Sequence, residues 1–292
     1  MPSSYPDDPG LVRALRQFDV PADALLGIGG EACVYALDAE RIVRVHHAGT
    51  RAASVSNRSE LLRELAQSAG RVPFAIPQVL DTVEVEARIV TVERRLPGRT
   101  LIEVLGEASG EARATLLRAY MQAAAELGEL TAARPWYGEL CQVAPIRTQT
   151  FREYLKRSAA RSFAAGGALF AHIGAAALAS ALPEPETPAF VHLDAYPGNM
   201  LADGEKISAV IDFGVIAIVG DRRLDPLSAA MYLTPLITPT ATDADRSVAA
   251  EWLRASGIDA MFSDARRWVA AFWSFAADDA RLRQWCIEVL CE

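Results

Sequence analysis

Three runs near the N-terminus, ALLGI, CVYAL and RIVRVHH, are short, largely apolar and β-like. Gly27, Gly29 and Gly30 mark the first bend between them and Asp38 to Glu40 the second, so the three read as an antiparallel meander. Ahead of them LVRALRQF has the spacing of a short amphipathic helix. Behind them NRSELLRELAQSA places Leu61, Leu62 and Leu65 on one face of a helix from about Asn57 to Ala69. Two further runs, PQVLDTV and ARIVTVERRL, complete a five-stranded antiparallel sheet carrying one helix. Pro97-Gly98 breaks that pattern. From Leu101 to about Leu182 the spacing is helical, most clearly in EARATLLRAYMQAAAELGELTAA. After PEPETP two brief apolar runs, AFVHL and ISAVIDF, precede a helical remainder to Glu292. No internal repeat is present. The pattern predicts an α+β chain in two lobes, residues 1–96 forming the sheet lobe and residues 97–292 a larger, mostly helical one.

Length and composition agree with this division. At 292 residues the chain exceeds the size of a usual single core, so two packed units sharing one cleft are expected. With 51% hydrophobic and 23% charged residues it has enough apolar material for real cores. A net charge of -8 argues against nucleic acid as the main partner, because duplex binding relies on a basic face; small molecules, cationic ones among them, fit better. Cys33, Cys141, Cys286 and Cys291 have neither C-x-x-C spacing nor a disulfide framework, so they read as free thiols of a reducing compartment. The start MPSSYPDDPG lacks the basic and apolar stretches of a signal peptide, and a cytoplasmic location is expected. Between Ser162 and Pro183 there is no charged residue, but the run is mostly Ala and Gly with His172 near its middle. It reads as a close-packed buried helix and not a membrane span. Lysine occurs only at positions 156 and 206, so a site that ordinarily uses lysine must use arginine here.

The stretch VHLDAYPGNM sets Asp194 and Asn199 around a Pro-Gly pair where a strand ends, and thirteen residues after Asn199 Asp212 follows in AVIDFG. Taken alone, an Asp and an Asn at this spacing cap a turn as readily as they do chemistry. With both strands, the three side chains come to one edge, where carboxylate and carboxamide oxygens suit magnesium, a hard cation that takes its remaining ligands from phosphate and water. Asp194 would then be left to face a hydroxyl.

HLDAYPGN followed by IDFG resembles the catalytic and metal-binding loops of the protein-kinase-like superfamily. The Pro-Gly before the Asn, and GDRRLD soon after IDFG, are similar to the aminoglycoside phosphotransferase family of antibiotic kinases. GIGGEACVY, RIVRV, IPQVLD and ERRLPGRTL extend the resemblance, in order, over most of the chain. It implies a bilobal protein-kinase-like fold, ATP or GTP as phosphoryl donor, and Mg2+ as cofactor. By resemblance Asp194 is the base that orients and deprotonates the acceptor hydroxyl, and Asn199 and Asp212 hold magnesium against the phosphates. His192 is structural, packed near Phe213. Gly29 and Gly30 would let backbone N–H groups approach the phosphates. The backbone of Glu93, Arg94, Arg95 and Leu96 would form the hinge that meets the base. Asp225 would brace the catalytic loop, while Arg222 departs from the proline common in the G-D-x-x-x-D stretch that holds Asp221.

Protein kinases use a lysine on the third strand, and neither lysine of this chain lies there. Arg44 is the cation with that placement, able to fork onto two phosphate oxygens, the alternative being a solvated strand residue. Its expected acidic partner is Glu60, with Glu64 as the rival. On the acceptor side Asp243, Asp245, Glu251, Asp259, Asp278 and Asp279 read as a pocket for an aminated molecule or as a solvated helix face, and Trp252, Trp268, Trp273 and Trp285 as stacking platforms or core. The leading expectation is a kinase that phosphorylates a hydroxyl of a small molecule of the antibiotic type. A metabolic kinase of a choline- or homoserine-like alcohol uses the same residues, and a nucleotide-binding pseudokinase scaffold is the alternative from another class.

Overall fold

The computed structural model describes residues 8–132 and 134–291. The five runs form strands β1 (Leu25–Ile28), β2 (Ala32–Ala36), β3 (Arg41–His46), β4 (Val79–Val85) and β5 (Arg88–Arg94). They make one antiparallel sheet in the order β1-β2-β3-β5-β4. Helix α1 (Pro9–Gln17), capped by Asp8, buries Leu11, Ala14 and Leu15 against Val43, Val45, Val85 and Val90, closing one face of the sheet. Because side chains alternate along a strand, Arg44 and His46 of β3 and Thr91 and Glu93 of β5 point to the other face.

Helix α2 (Ala52–Leu65) covers that second face. It begins five residues before the expected Asn57, and its buried positions are Val55, Arg58, Leu61, Leu62 and Leu65. The three leucines belong to the large core shared with the C-terminal part, so α2 couples the sheet to the rest of the molecule. The chain then crosses at Pro97-Gly98. Gly98 has φ +110, and a Cβ there would lie 2.5 Å from Ser208 Oγ and 2.8 Å from Ala202 O, so the crossing requires glycine.

Strand β6 (Arg99–Thr100) leads into α3 (Leu101–Glu107) through a capping box of Thr100 and Glu103, and α4 (Gly110–Glu126) follows. The expected all-helical stretch is interrupted here by β7 (Tyr137–Glu139) and β8 (Arg147–Thr148). Strands of two or three residues have too little period to be read from sequence, and these exist by pairing with distant partners. After α5 (Phe151–Gly166) and α6 (Ala175–Ala181) come β9 (Ala189–Val191), β10 (Met200–Asp203), β11 (Lys206–Val210) and β12 (Ile218–Gly220). Two small sheets result, β8-β7-β12-β9 and β11-β10-β6. Helices α7 (Leu224–Met231), α8 (Asp243–Ala255), α9 (Phe262–Trp273) and α10 (Ala280–Cys291) complete the fold.

The uncharged segment from Ser162 to Pro183 is not one helix: Gly167, with φ +86, ends α5, and α6 resumes after a short turn. Among the described residues no helix is long and apolar enough to cross a membrane. Among the described residues no disulfide forms, and Cys33, Cys141 and Cys286 are buried.

Candidate active site

Strand β9 ends at Val191, and the next residues are fixed from several sides. Asp225, fully buried at the start of α7, accepts the N–H of His192 at 2.9 Å and that of Leu193 at 2.8 Å, the bracing expected of it. Leu193 has φ 66, a left-handed conformation costly for a branched side chain. Tyr232 OH donates to its carbonyl at 2.8 Å, and Tyr120 OH donates to the carbonyl of Ala195 at 2.8 Å. The residue between, Asp194, is thereby positioned through both neighbouring peptides.

Asn199 joins the loop to Asp194. Its Nδ2 lies 2.9 Å from both the carbonyl oxygen and Oδ2 of Asp194, which leaves Oδ1 as the atom available to a cation. Its carbonyl accepts Ile211 N–H at 2.9 Å, so the strand bearing Asp212 is registered on the same loop. The tight Pro-Gly turn has a steric reason: a Cβ on Gly198 would lie 2.4 Å from the Tyr196 ring. His192 takes the structural place expected of it. Its Nδ1 accepts Asp194 N–H at 3.3 Å, so the proton sits on Nε2, which bonds Ile211 O at 3.1 Å. The ring meets Phe213 edge-on at 4.7 Å, and burial pulls its pKa down to about 4, so it is neutral near pH 7.

Asp212 has φ 62 and projects into the cleft, where its Oδ1 meets Arg44 Nη2 at 2.7 Å. Burial opposes its ionisation, but Arg44 outweighs burial and the carboxyl lies below the usual range. Asp194 goes the other way, pushed well up by burial and by the Asp212 carboxylate. Glu31 closes the cluster from the β1–β2 turn, with Oε2 at 3.6 Å from Arg44 Nη2. In that turn Gly29 N–H bonds Ala32 O at 2.9 Å, and a Cβ on Gly30 would meet nothing within 4 Å, so the space above it is open.

One expected contact is corrected. Glu60 does not pair with Arg44; it lies beside Ser56 Oγ at 3.5 Å on the exposed side of α2, and Glu64 forks onto Arg134 at 2.7 and 2.6 Å. The reason is helical phase: Glu60 stands about 200° around the helix from Arg58, which is the residue that faces the sheet. Glu93, placed at the hinge, is 2% exposed and its carboxylate is held by Arg58 at 2.7 and 3.1 Å, so that side chain is not free for a nucleotide. At the hinge itself, Arg94 N–H bonds Gln78 O at 2.9 Å and Arg95 N–H bonds Glu40 O at 2.7 Å. Among the described residues the Leu96 N–H has no backbone acceptor, so it is the hinge donor still available. Sequence reading missed Arg58; its signal was an arginine in the stripe of Val55, Leu62 and Leu65.

On the acceptor side, Asp245 is buried against Arg113 at 2.6 Å and caps α8, so it does not line an open pocket. Trp268 and Trp285 are core. Trp273 is half-buried, bonds Tyr232 OH at 2.9 Å and stacks on Phe275 at 5.7 Å, which places an aromatic pair beside the loop that carries Asp194. Burial pushes the Tyr196 hydroxyl pKa up to about 12, helped by the negative charges of Asp194, Asp212 and Asp279. Arg222 pairs with Glu129 at 2.5 Å, and Arg223 with Asp221 at 2.6 Å, so the departure at Arg222 is absorbed locally. The cavity of about 260 Å³ between α9 and α10, lined by Phe262, Arg266, Arg267 and Glu288, shares no residue with this cluster.

Comparison with known proteins agrees with this arrangement. No curated protein matches the chain in sequence. Among solved structures, ADP-bound aminoglycoside phosphotransferase APH(2'')-Ib is similar at 16% identity and TM-score 0.61, over 97% of this chain and 96% of that one. The gentamicin complex of APH(2'')-IIa is similar at 15% identity and TM-score 0.61, over 98% and 96%. APH(3'')-Id from Streptomyces rimosus, with ADP and streptomycin, is similar at 14% identity and TM-score 0.59, over 91% and 96%. These likenesses show the bilobal, kinase-like fold of that group. The APH family profile, described as phosphotransferase enzyme family, matches residues 25–279, and the chain belongs to that family.

Proposed function

We propose that the protein transfers the γ-phosphoryl group of ATP or GTP to a hydroxyl of a small molecule, in the cleft between the sheet lobe of residues 1–96 and the lobe of residues 97–292. The observation that carries this reading is the junction of Asp194, Asn199 and Asp212: one carboxamide bonded to the base, its oxygen left over, and a second carboxylate registered on the same loop.

That donor set fits magnesium. Among the described residues no three acidic, histidine or cysteine side chains cluster as a metal cage, and magnesium does not need one; it takes one or two protein oxygens and completes its shell with phosphate and water. Asn199 Oδ1 and the Asp212 carboxylate would hold it, and when bound it neutralises and aligns the phosphate oxygens. Arg44 supplies the strand cation. Its Nε is buried without a partner, a donor left unmet in this arrangement. Gly29 and Gly30 leave room for the phosphates under the β1–β2 turn, and Leu96 N–H offers the hinge donor. Asp194 orients the acceptor hydroxyl and takes its proton as the phosphoryl group arrives.

Gentamicin and streptomycin in the similar structures make an aminated sugar the first acceptor to try. The Trp273–Phe275 pair gives a flat face on which a sugar ring would stack. The Arg44–Asp212 ion pair is the observation that favours a nucleotide-binding scaffold, since it occupies a magnesium ligand. One experiment separates the readings: phosphoryl transfer from ATP and GTP to a panel of aminoglycosides, macrolides and small alcohols, with wild type and Asp194→Ala. The expected result is transfer to at least one acceptor, lost about 10²- to 10⁴-fold in the variant with nucleotide affinity kept. No transfer to any hydroxylated acceptor, or equal rates in the two proteins, refutes the kinase reading.

A further inference from the structure

Arg58 is 2% exposed on α2, amid Val55, Leu61, Leu62 and Leu65. A guanidinium in such surroundings costs several kcal/mol of desolvation unless its donors are met. They are met on two sides. Nη1 and Nη2 fork onto Glu93 at 2.7 and 3.1 Å, and Nε donates to the carbonyl of Phe213 at 2.9 Å. Glu93 is also bonded by Thr91 Oγ1 at 2.8 Å, so the anion cannot follow Arg58 if the helix moves.

A buried ion pair is a weak source of net stability, and an apolar pair of similar volume fills such a site about as well. What an apolar pair cannot do is hold the Phe213 carbonyl. Phe213 follows Asp212, whose φ of 62 is a conformation a non-glycine residue keeps only when its surroundings impose it. The Phe213 ring is clamped by His192 at 4.7 Å and by Phe190 at 5.8 Å; Arg58 fixes the other end of that residue, its peptide oxygen. Helix α2 is itself anchored below, where Asn57 Nδ2 donates to Cys141 O at 3.3 Å and Glu64 forks onto Arg134.

We infer that Arg58 is a positioning residue for the metal-binding loop, holding Asp212 in its cleft-facing conformation through the Phe213 carbonyl and tying that conformation to the seat of α2 on Glu93. The polarity is the reverse of the one expected from the family: the helix bears the cation and the strand the anion, which leaves Arg44 to Asp212. The inference rests on the proposed function in one respect, that Asp212 binds magnesium.

Two variants test it. Arg58→Lys keeps the charge opposite Glu93, but a single nitrogen cannot fork onto that carboxylate and also bond the carbonyl. The double variant Arg58→Met with Glu93→Met replaces the ion pair by apolar volume and removes the carbonyl bond without stranding a charge. The readouts are hydrogen exchange of residues 211–215 in nucleotide-free protein, ATP affinity with Mg2+ against ATP affinity in EDTA, and thermal melting. Both variants are expected to exchange this segment about tenfold faster and to lose about tenfold of the Mg2+-dependent ATP affinity, with affinity in EDTA unchanged. The double variant is expected to stay folded, melting about 2–5 °C below wild type because the Phe213 carbonyl is left unmet. Wild-type exchange and wild-type Mg2+ dependence in a folded double variant overturn the inference. If wild type itself gains no ATP or GTP affinity from Mg2+, the proposed function fails, and unchanged exchange of residues 211–215 in the variants overturns the positioning role independently.

Discussion

Replacing Tyr232 by Phe removes one oxygen from the core and nothing else, yet it should disturb both stability and turnover. That hydroxyl donates to Leu193 O at 2.8 Å and accepts from Trp273 Nε1 at 2.9 Å, and the residue is 2% exposed. Burial pushes its ionisation well above the ordinary tyrosine value, so it is a donor throughout the workable pH range. The substitution loses a net contribution of about 1 kcal/mol for the bond and leaves a buried carbonyl unmet at about 1–3 kcal/mol, while the half-buried Trp273 is partly repaired by water. A cost of about 2–3 kcal/mol corresponds to a melting-temperature drop of about 5–10 °C for a chain of this size. The freed carbonyl belongs to Leu193, held at φ 66, and relaxation of that residue swings Asp194 off line, with an expected loss of about tenfold in kcat and little change in nucleotide KM. Tyr120→Phe acts on the other side, on Ala195 O, and the two should couple, the double variant differing from the sum of the singles by more than about 0.5 kcal/mol. Urea unfolding gives the stabilities, and steady-state transfer to the acceptor found in the panel gives the rates. Stability within about 0.5 kcal/mol of wild type in Tyr232→Phe, with an unchanged rate, would refute the claim that the loop is held through its flanking carbonyls.

Other consequences are open to direct measurement. Arg44→Met removes the strand cation and should weaken ATP and GTP binding by about 10- to 100-fold in calorimetry, the worth of a charge-assisted bond to phosphate. Gly98→Ala should destabilise by more than about 2 kcal/mol in urea unfolding, since the Cβ meets Ser208 and Ala202 at a positive φ, whereas Gly30→Ala should stay within about 0.5 kcal/mol. His46 is buried, its pKa pulled down to about 4 first by burial and then by Arg44, against an ordinary value of 6.5. The folded state therefore binds fewer protons than the unfolded one, so this contribution is complete above pH 6.5 and is lost as pH falls towards 4, by about 3 kcal/mol. His46→Gln should flatten the pH dependence of stability in that window, as read by urea titrations from pH 7.5 to about pH 4.5.

Reading the sheet from sequence succeeded because its strands are apolar runs of four to seven residues set off by turn residues, and β3 and β5 lie within RIVRVHH and ARIVTVERRL. The two-residue β6 and β8 and the three-residue β7 carry no period, and nothing short of their distant partners defines them. The uncharged run from Ser162 to Pro183 shows the converse: apolar character is continuous through it, but the turn at Gly167 is a backbone event that composition does not record.

Local order along the chain determined the elements of the sheet, the place of the Pro-Gly crossing, and the spacing of Asp194, Asn199 and Asp212, because these depend on neighbours in sequence. Which charges meet across the cleft was decided by the tertiary structure. The packing of Val55, Leu62 and Leu65 turned Arg58 inward and Glu60 out to water. Glu93 followed from the face of β5 opposite Val90, and Arg44 was left to Asp212. Such pairings depend on contacts between residues far apart in the chain, which packing sets and no local pattern contains.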